Sequence, residues 1–296
     1  MKVGYVSIVG KPNVGKSSLL NDIFSRKVSI VTKKAQTTRN AISNIYNDED
    51  SHIIFVDTPG IHNFNASINR FMNKASYNSI RGADVTVLMF DASHKFDKQD
   101  DFIFEHLQID SKLILVLNKI DETNIGLITE LKNKLAKIYA NKEYKLIEMS
   151  ALRKFNVDEL LNAIKEYLPE GPLLFDPNDE EATEEKVKFE ISEIIREKIL
   201  LILKEEVPHS IFIDVKSVNF GDDLSIVAKI IVEKDSQKGI LIGKNGSMIK
   251  QIGINSRRDL EKEFKQHVQL DLTVTVAKNW RNDEKFLKKH DFLKIK

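Results

Sequence analysis

Gly10-Lys-Pro-Asn-Val-Gly-Lys-Ser17 lies between an apolar run, Val3–Val9, and a helical pattern that runs from Lys16 to about Phe24. The segment fits G-x-x-x-x-G-K-[ST], a phosphate-binding loop that joins a strand to a helix. Its glycines let backbone amides turn toward phosphates, and the helix N-terminus adds positive potential. We predict that Lys16 reaches the β- and γ-phosphates and that Ser17 ligates Mg²⁺. A chance glycine-rich turn is the competing interpretation, and the loop alone does not specify the base.

Strands and helices alternate around this loop in the first half of the chain. Short apolar runs predict strands, and the last of them precedes a closing helix at Val157–Leu168. Buried strands that alternate with helices are typical of a parallel sheet covered on both faces. We therefore predict an α/β domain with a mostly parallel sheet. After Val3–Val9, the predicted strands are Ser51–Val56, Asp84–Phe90, Lys112–Leu117 and Lys145–Met149.

Three later segments, each just past a predicted strand, specify the base and the reaction. In Asp57-Thr-Pro-Gly60, the aspartate can hold Mg²⁺ through water and the Gly60 amide can approach the γ-phosphate. In Asn118-Lys-Ile-Asp121, the carboxylate can accept from guanine N1–H and its exocyclic amine, whereas adenine would leave it unpaired. A backbone amide of Ser150-Ala can contact the guanine oxygen. Ligands bind at the carboxyl ends of strands in open α/β sheets, so these matches predict GTP rather than an ATP-using kinase.

The same segments, in the same order, resemble the translation-factor-like class of small GTPases. The resemblance places a first switch in Val31–Asn40, where a threonine would close over Mg²⁺ in the GTP state. We prefer Thr38, with Thr37 as the open alternative.

Ras-like enzymes carry a water-orienting glutamine where this chain has Ile61, so we expect slow intrinsic hydrolysis. A P-loop asparagine in similar GTPases is associated with K⁺, and we hypothesise that Asn13 ligates K⁺ in place of an arginine finger. The alternative is that Asn13 only fits the turn.

Three overlapping sets of residues follow for this half of the chain. The predicted catalytic residues are Lys16, Thr38 and Gly60. The predicted Mg²⁺ ligands are Ser17, Thr38 and Asp57. The predicted nucleotide-binding residues are Gly10, Asn13, Val14, Gly15, Lys16, Ser17, Ser18, Asp57, Gly60, Asn118, Lys119, Asp121, Ser150, Ala151 and Leu152.

Composition bounds the class of protein. The 296 residues are 42% hydrophobic and 30% charged, which is typical of about two soluble domains. No run approaches the ~20 apolar residues of a membrane span, and the N-terminus does not resemble a signal peptide. We therefore expect a cytoplasmic protein.

The net charge of +1 conceals an asymmetry, since Asp176–Glu206 holds 11 acidic and 5 basic residues whereas Ser236–Lys296 holds 14 basic and 7 acidic. The basic segment indicates a polyanionic partner, with a solvated charged surface as the alternative. Cysteine is absent and the seven histidines lack metal-ligand spacing, so we expect no structural metal.

The second half of the chain has a different order of elements. Leu-Pro-Glu-Gly-Pro and the acidic run after it end the alternating pattern and predict a linker over 169–183. We assign 1–168 to the nucleotide-binding domain and 184–296 to a second domain of the α+β class. Its predicted elements are helix Glu184–Leu203, strands Ile211–Val218 and Leu224–Val232, a short helix before Gly243, helix Ser247–Phe264, strand Val268–Val276 and a final basic helix around Trp280–His290.

A G-x-x-G sequence at Gly243–Gly246 lies between the two central helices of this second domain. In a KH module such a loop clamps nucleotides against an apolar groove. Asn-Gly also favours a β-hairpin, but the helical pattern that follows supports the loop between helices. Two strands before this loop and one after it indicate the type II KH fold. The predicted RNA-binding residues are Ile242, Gly243, Lys244, Asn245, Gly246, Ile249, Lys250 and Arg257.

Both halves together resemble the Era family of ribosome-associated GTPases over nearly the whole chain. The resemblance rests on GKPNVGKSSLLN, KAQTTRN, DTPGIH, NKID, LPEGP, EIIREKIL, IGKNGSMIKQIG and the later NWR. It implies binding to GTP, GDP and the 3′ end of small-subunit ribosomal RNA, and a role in small ribosomal subunit assembly. It also implies peripheral association with the inner face of the cell membrane, although no amphipathic anchor is evident.

We expect a monomer. The tail KKHDFLKIK departs from the family's glycine–aromatic ending. The rival function is a GTPase signalling protein whose second domain contacts a protein or membrane partner. Trp280 can stack on a base, but we expect that it packs onto its own domain.

Overall fold

The computed structural model describes residues 1–25, 42–57, 80, 82–107, 109–172, 180–203, 211–283 and 285–286. The predicted switch segment with Thr37 and Thr38, and the positions of Gly60 and Ile61, lie outside these residues. Packing divides the described chain into two units, one within Met1–Asp176 and one within Pro177–Leu287.

The first unit is built on a six-stranded sheet in the order β2-β3-β1-β4-β5-β6. All neighbouring pairs are parallel except β2 with β3, which is antiparallel at the edge. Its strands are β1 (Lys2–Gly10), β2 (Ile42–Asn47), β3 (Ser51–Asp57), β4 (Val85–Asp91), β5 (Lys112–Asn118) and β6 (Tyr144–Glu148). Its helices are α1 (Lys16–Ile23), α2 (Lys98–His106), α3 (Ile125–Ile138) and α4 (Val157–Tyr167).

Helices cover both faces of this sheet. On one face, apolar side chains of α1 and α4, such as Leu19 and Leu160, pack with Val6 and other inward residues of the sheet. On the other face, Ile103 of α2 and Leu135 of α3 pack against the remaining side chains of the central strands. Strands buried on both sides are the expected consequence of near-continuous apolar sequence. The predicted α/β fold with a mostly parallel sheet is therefore confirmed.

Three elements of this unit were not predicted. Strand β2 reads ISNIYN, a largely polar sequence without the apolar–polar alternation that indicates a strand. Helix α2 begins after Asp97, whose carboxylate accepts from the Gln99 and Asp100 amides in a capping box. Helix α3 buries only Leu131 and Leu135, so its apolar stripe is narrow.

The second unit is a three-stranded sheet in the order β7-β8-β9, with helices on one face. Strands β7 and β8 are antiparallel, whereas β8 and β9 are parallel. Its elements are α5 (Glu180–Ile202), β7 (Phe212–Asn219), β8 (Leu224–Val232), α6 (Asp235–Ile242), α7 (Ser247–Phe264) and β9 (Val268–Val276). This α-β-β-α-α-β order confirms the predicted type II KH fold. Helix α5 begins one turn earlier than its periodicity predicts.

The predicted basic helix around Trp280–His290 is interrupted near its start, while Lys285 and Phe286 are helical and 284 and 287–290 lie outside the described residues. Trp280–Asn282 forms a short 3₁₀ turn, and Asp283 then adopts an extended conformation, with φ −85° and ψ 101°. Trp280 itself is 1% exposed and packs against Phe212 and Phe286, with ring centroids 5.9 Å and 5.5 Å away. The prediction that it packs onto its own domain is confirmed, and the aromatic cluster fixes the chain after β9.

Candidate nucleotide and RNA sites

The predicted nucleotide residues that the structure describes converge at one edge of the first sheet. Strand register places Gly10 beside Met89 of β4, and Asp91 of β4 beside Asn118 of β5. Strand β6 ends beside β5 and leads directly into Ser150. Because parallel strands present their carboxyl ends together, segments far apart in sequence meet here.

Backbone conformation explains the glycines of the phosphate loop. Gly10 has φ 151° and Gly15 has φ 106°, while Asn13 between them has φ 63°. A Cβ on Gly15 would lie 2.1 Å from the Asn118 Nδ2 atom, and a Cβ on Gly10 would lie 2.4 Å from the Met89 carbonyl oxygen. Glycine is required at both positions because the loop packs directly on neighbouring strands.

Lys16 curls back over the loop that precedes it. Its Nζ donates to the Gly10 carbonyl at 3.0 Å and to the Lys11 carbonyl at 2.8 Å, and the residue is 6% exposed. Helix α1 begins at Lys16, and no side chain caps its N-terminus. Ser17 and Ser18 follow in its first turn and are half-buried. The ammonium group and the uncapped helix start together give the loop a strong preference for anions.

Asn118 joins its own segment to two others of the site. Its Nδ2 donates to the Val14 carbonyl of the phosphate loop at 2.7 Å. Its Oδ1 accepts from the Ala151 amide at 2.9 Å, and the side chain is buried. One amide therefore ties the phosphate loop to the two segments predicted to bind the base. The Ala151 N–H group already donates its hydrogen bond to Asn118.

Asp121 stands on a 3₁₀ turn at Ile120–Glu122, and Leu152 is exposed on the turn that follows β6. Arg153 Nε lies 3.7 Å from Asp121 Oδ2, and the Arg153 amide donates to Ser150 Oγ at 3.0 Å. The turn is closed by paired backbone bonds between Ser150 and Phe155. Asp57 ends β3 at the same edge of the sheet.

The G-x-x-G loop of the second unit links α6 to α7 through a 3₁₀ turn. Gly243 has φ 70°, Asn245 has φ 52° and Gly246 has φ 76°. A Cβ on Gly243 would lie 2.7 Å from Met248 Cβ, whereas a Cβ on Gly246 would meet nothing within 4 Å. Gly243 thus allows the two helices to approach, and Gly246 leaves an open backbone face beside the loop.

The remaining predicted RNA-binding side chains surround this loop. Ile242 and Ile249 are half-buried, and Lys244, Asn245, Lys250 and Arg257 are exposed. Arg257 is near only one described acidic partner, Glu261, at 3.9 Å. Apolar side chains beside exposed cations are what a nucleic-acid groove requires.

Comparison with known proteins identifies the family. Residues 5–119 match the family of 50S ribosome-binding GTPases, and residues 206–281 match the KH domain. The chain is 42% identical to GTPase Era of Clostridium tetani over 97% of both chains. It is 40% identical to GTPase Era of Lactobacillus delbrueckii over 97% of this chain and 95% of that one. The chain belongs to the Era family of GTPases.

Two solved Era structures cover 99% of this chain at 35% identity. One is a variant of Aquifex aeolicus Era bound to GDP·AlF₄⁻, with a TM-score of 0.89. The other is Era in complex with MgGDPNP and nucleotides 1506–1542 of 16S ribosomal RNA, with a TM-score of 0.91. The likeness covers both units, so this Era-family chain is a GTP-hydrolysing enzyme with a KH domain.

Sequence reasoning missed Asp91, which contacts the predicted nucleotide residue Lys119. Lys119 Nζ lies 2.5 Å from Asp91 Oδ2. Burial alone would raise the pKa of the Asp91 carboxyl, but hydrogen bonds from Lys119 and Ser93 outweigh it and hold the pKa below its ordinary value. The sequence signal was an aspartate as the last residue of β4, just as Asp57 is the last residue of β3.

A second missed group lies behind the phosphate loop. Lys11 Nζ donates to Asp100 Oδ2 at 2.7 Å and to Asp97 Oδ2 at 3.1 Å, both at the start of α2. Burial raises the pKa of Asp100, against the effect of Lys11. For Asp97, burial is outweighed by Lys11 and two backbone amides, so its pKa is lowered. The capping box of α2 therefore also anchors the phosphate loop.

Within the described ranges, no three histidine or acidic side chains are grouped so that they could hold a metal ion. Among the helices that the structure describes, none is long and apolar enough to cross a membrane.

Proposed function

We propose that this GTPase binds the 3′ end of small-subunit ribosomal RNA and acts in assembly of the small ribosomal subunit. The observation that carries the proposal is the G-x-x-G loop, where Gly246 leaves an open backbone face in a segment that carries exposed Lys244 and Lys250. The similar Era structure in complex with a 16S ribosomal RNA fragment supports the choice of RNA. Because the proposed partner is the ribosomal subunit, we propose that the protein acts in the cytoplasm.

The geometry of the first unit supports the nucleotide roles that we propose. Lys16 and the amides of Gly15 and Ser17 contact the phosphates, because they face the uncapped start of α1. Asp121 accepts from the guanine N1–H and exocyclic amine. The amide next along the turn, that of Leu152, meets the guanine oxygen, since the Ala151 amide is used by Asn118. The other predicted nucleotide residues shape the loop around these contacts.

Magnesium fits the donors at this edge of the sheet. Ser17 supplies a hydroxyl oxygen beside Lys16, and Asp57 at the end of β3 is a further oxygen donor of the kind that Mg²⁺ prefers. Thr38, which lies outside the described residues, is proposed as a ligand from the sequence alone. When bound, Mg²⁺ neutralises charge on the β- and γ-phosphate oxygens. The residues that act on the phosphoryl group are Lys16, Thr38 and the Gly60 amide.

Potassium is the second proposed cation, with Asn13 as a ligand. Asn13 lies in the phosphate loop with φ 63°. Asparagine tolerates this left-handed conformation. We expect faster GTP turnover in K⁺ than in Na⁺, and Asn13→Ala should remove the difference. Equal turnover of the unaltered protein in the two salts would refute this role.

Salt-dependent RNA affinity tests the proposed RNA site. The full-length protein is titrated with an RNA that ends in the small-subunit 3′ sequence, and with an RNA of equal length whose 3′ end is scrambled. We expect tighter binding to the first RNA, and Lys244→Ala should lower the log–log salt slope by about 0.7. Lys262→Ala, on the exposed far end of α7, is the matched control and should leave the slope unchanged. Equal binding to both RNAs, without salt dependence, would favour a protein-binding adaptor.

The remaining proposals concern organisation. We propose a monomer in which residues 1–168 bind the nucleotide, 169–183 connect the domains and 184–296 bind RNA. Peripheral association with the inner face of the cell membrane stays a proposal drawn from family resemblance. Sedimentation with liposomes of anionic lipid tests it, and absence of co-sedimentation at low salt would refute it.

A further inference from the structure

We propose that Asp91 is a positioning residue for nucleotide binding, because it fixes the side chain of Lys119 at the base-binding edge of the sheet. The inference rests on the proposed nucleotide site, in which Lys119 contributes to the base-side wall. Asp91 itself belongs to none of the predicted binding motifs.

Strand register puts the two groups together. Asp91 and Asn118 are partners at the ends of β4 and β5, and the Ala92 amide donates to the Asn118 carbonyl at 2.8 Å. Lys119 follows directly and turns into the left-handed region, with φ 66° and ψ 35°. That conformation is unfavourable for a lysine and persists only where neighbouring groups hold it. The Lys119 carbonyl accepts from the Glu122 amide at 2.9 Å, and the 2.5 Å contact between Lys119 Nζ and Asp91 Oδ2 restrains the side chain.

Asp91 is itself held in place. Its Oδ1 accepts from the Ser93 amide at 3.0 Å and from Ser93 Oγ at 2.5 Å. His94 Nδ1 lies 3.6 Å from its Oδ2, and the carboxylate side chain is only 14% exposed. A carboxylate with this many donors keeps its orientation, and a restrained carboxylate can restrain a lysine.

The contact has a defined consequence for the nucleotide. A fixed ammonium group holds the aliphatic stem of Lys119 in one path between Asp91 and the Asn118–Asp121 segment. An unpaired Lys119 would sample several rotamers, and nucleotide binding would have to order them. Base-side contacts are the same for GDP and GTP and do not change during hydrolysis. Loss of Asp91 should therefore weaken both nucleotides equally, raise KM and leave kcat unchanged.

A double-mutant cycle on the full-length protein separates this role from a general effect on folding. Equilibrium binding of a fluorescent GDP analogue is measured for the unaltered protein, Asp91→Asn, Lys119→Met and the double variant. We expect Asp91→Asn to weaken GDP and GTP about tenfold. In the Lys119→Met background the same change should alter affinity less than twofold, because Asp91 acts through Lys119.

Two further variants complete the test. Asp91→Glu keeps the charge and should recover most of the affinity. Asp101→Asn removes an ion pair of similar length, to Lys134 at 3.1 Å on the surface of α2, and should leave affinity unchanged. Steady-state hydrolysis gives KM and kcat for each variant, and thermal unfolding without nucleotide verifies that each is folded.

The outcomes distinguish the inference from the proposed site. If Lys119→Met binds GDP normally, Lys119 is not part of the site, and both the site assignment and the inference fail. If Lys119→Met is weakened but Asp91→Asn is not, only the inference fails. An equal loss from Asp91→Asn in both backgrounds, or a fall in kcat at unchanged KM, also overturns the inference.

Discussion

Replacing Lys11 with methionine should destabilise the first unit by removing one cation from a pair of carboxylates. Methionine keeps most of the aliphatic stem, so packing changes little. Asp100 would lose the donor at 2.7 Å while its side chain stays 3% exposed, and it would keep only the Asp97 amide of the capping box. Breaking one partner of a buried pair leaves the other charge uncompensated. Lys11 is 15% exposed and the Asp97 contact is more open, so we expect a loss of about 2–3 kcal/mol.

The loss should depend on pH with a definite sign. Burial holds the pKa of Asp100 above its ordinary value even with Lys11 present, so ionising this group already reduces stability as pH rises. Without Lys11, the folded-state pKa values of Asp100 and Asp97 both rise. The variant then loses further stability as pH increases through the carboxylate range, whereas both carboxyls are protonated in acid. The difference from the unaltered protein should be full at pH 7 and much smaller near about pH 4.

The single tryptophan provides an internal control for the assay. Urea unfolding followed by far-UV circular dichroism reports on both units, whereas Trp280 lies buried in the second unit. In Lys11→Met, the transition of the first unit should shift and the Trp280 fluorescence transition should not. The matched control is Lys134→Met, which removes an exposed ion pair with Asp101 and should cost less than about 1 kcal/mol. A loss below about 0.5 kcal/mol, or an equal loss at pH 4 and pH 7, would refute this account.

Two other changes give clear expectations. Gly15→Ala forces a side chain into φ 106° and against Asn118 Nδ2, so equilibrium GDP binding should weaken at least about tenfold; normal affinity would contradict the packing of the loop. Arg281→Ala removes two contacts to Glu233 Oε2, at 2.8 and 2.6 Å, and leaves a carboxylate that is 9% exposed. It should lower the stability of the second unit by about 2 kcal/mol, seen as an earlier Trp280 fluorescence transition in urea, while GDP affinity stays the same.

Motifs predicted which segments meet at one edge of the first sheet, but not the partners of their side chains. Glycines and Lys16 are recognisable because a phosphate loop needs them at fixed spacing. The contact of Lys11 with Asp100 spans 89 residues, and no local pattern links a lysine in a loop to an aspartate at a distant helix start. The interruption at Asp283 in the predicted helix around Trp280–His290 was missed for a local reason, since the charged residues after the tryptophan fit helical propensity while Asp283 is extended. Propensity is a weak guide at a chain end that is held by aromatic packing.

Core packing sets the distances in this site as much as the motifs do. In β4 and β5, Phe90 pairs with Leu117, and both are buried. A slip of one residue would place Asp91 beside Leu117 and would turn the inward side chains of one strand to the opposite face. The apolar residues therefore fix the register, and the register brings Asp91 within reach of Lys119. The motif determines which side chains are available, whereas the buried strands determine whether they meet at hydrogen-bonding distance.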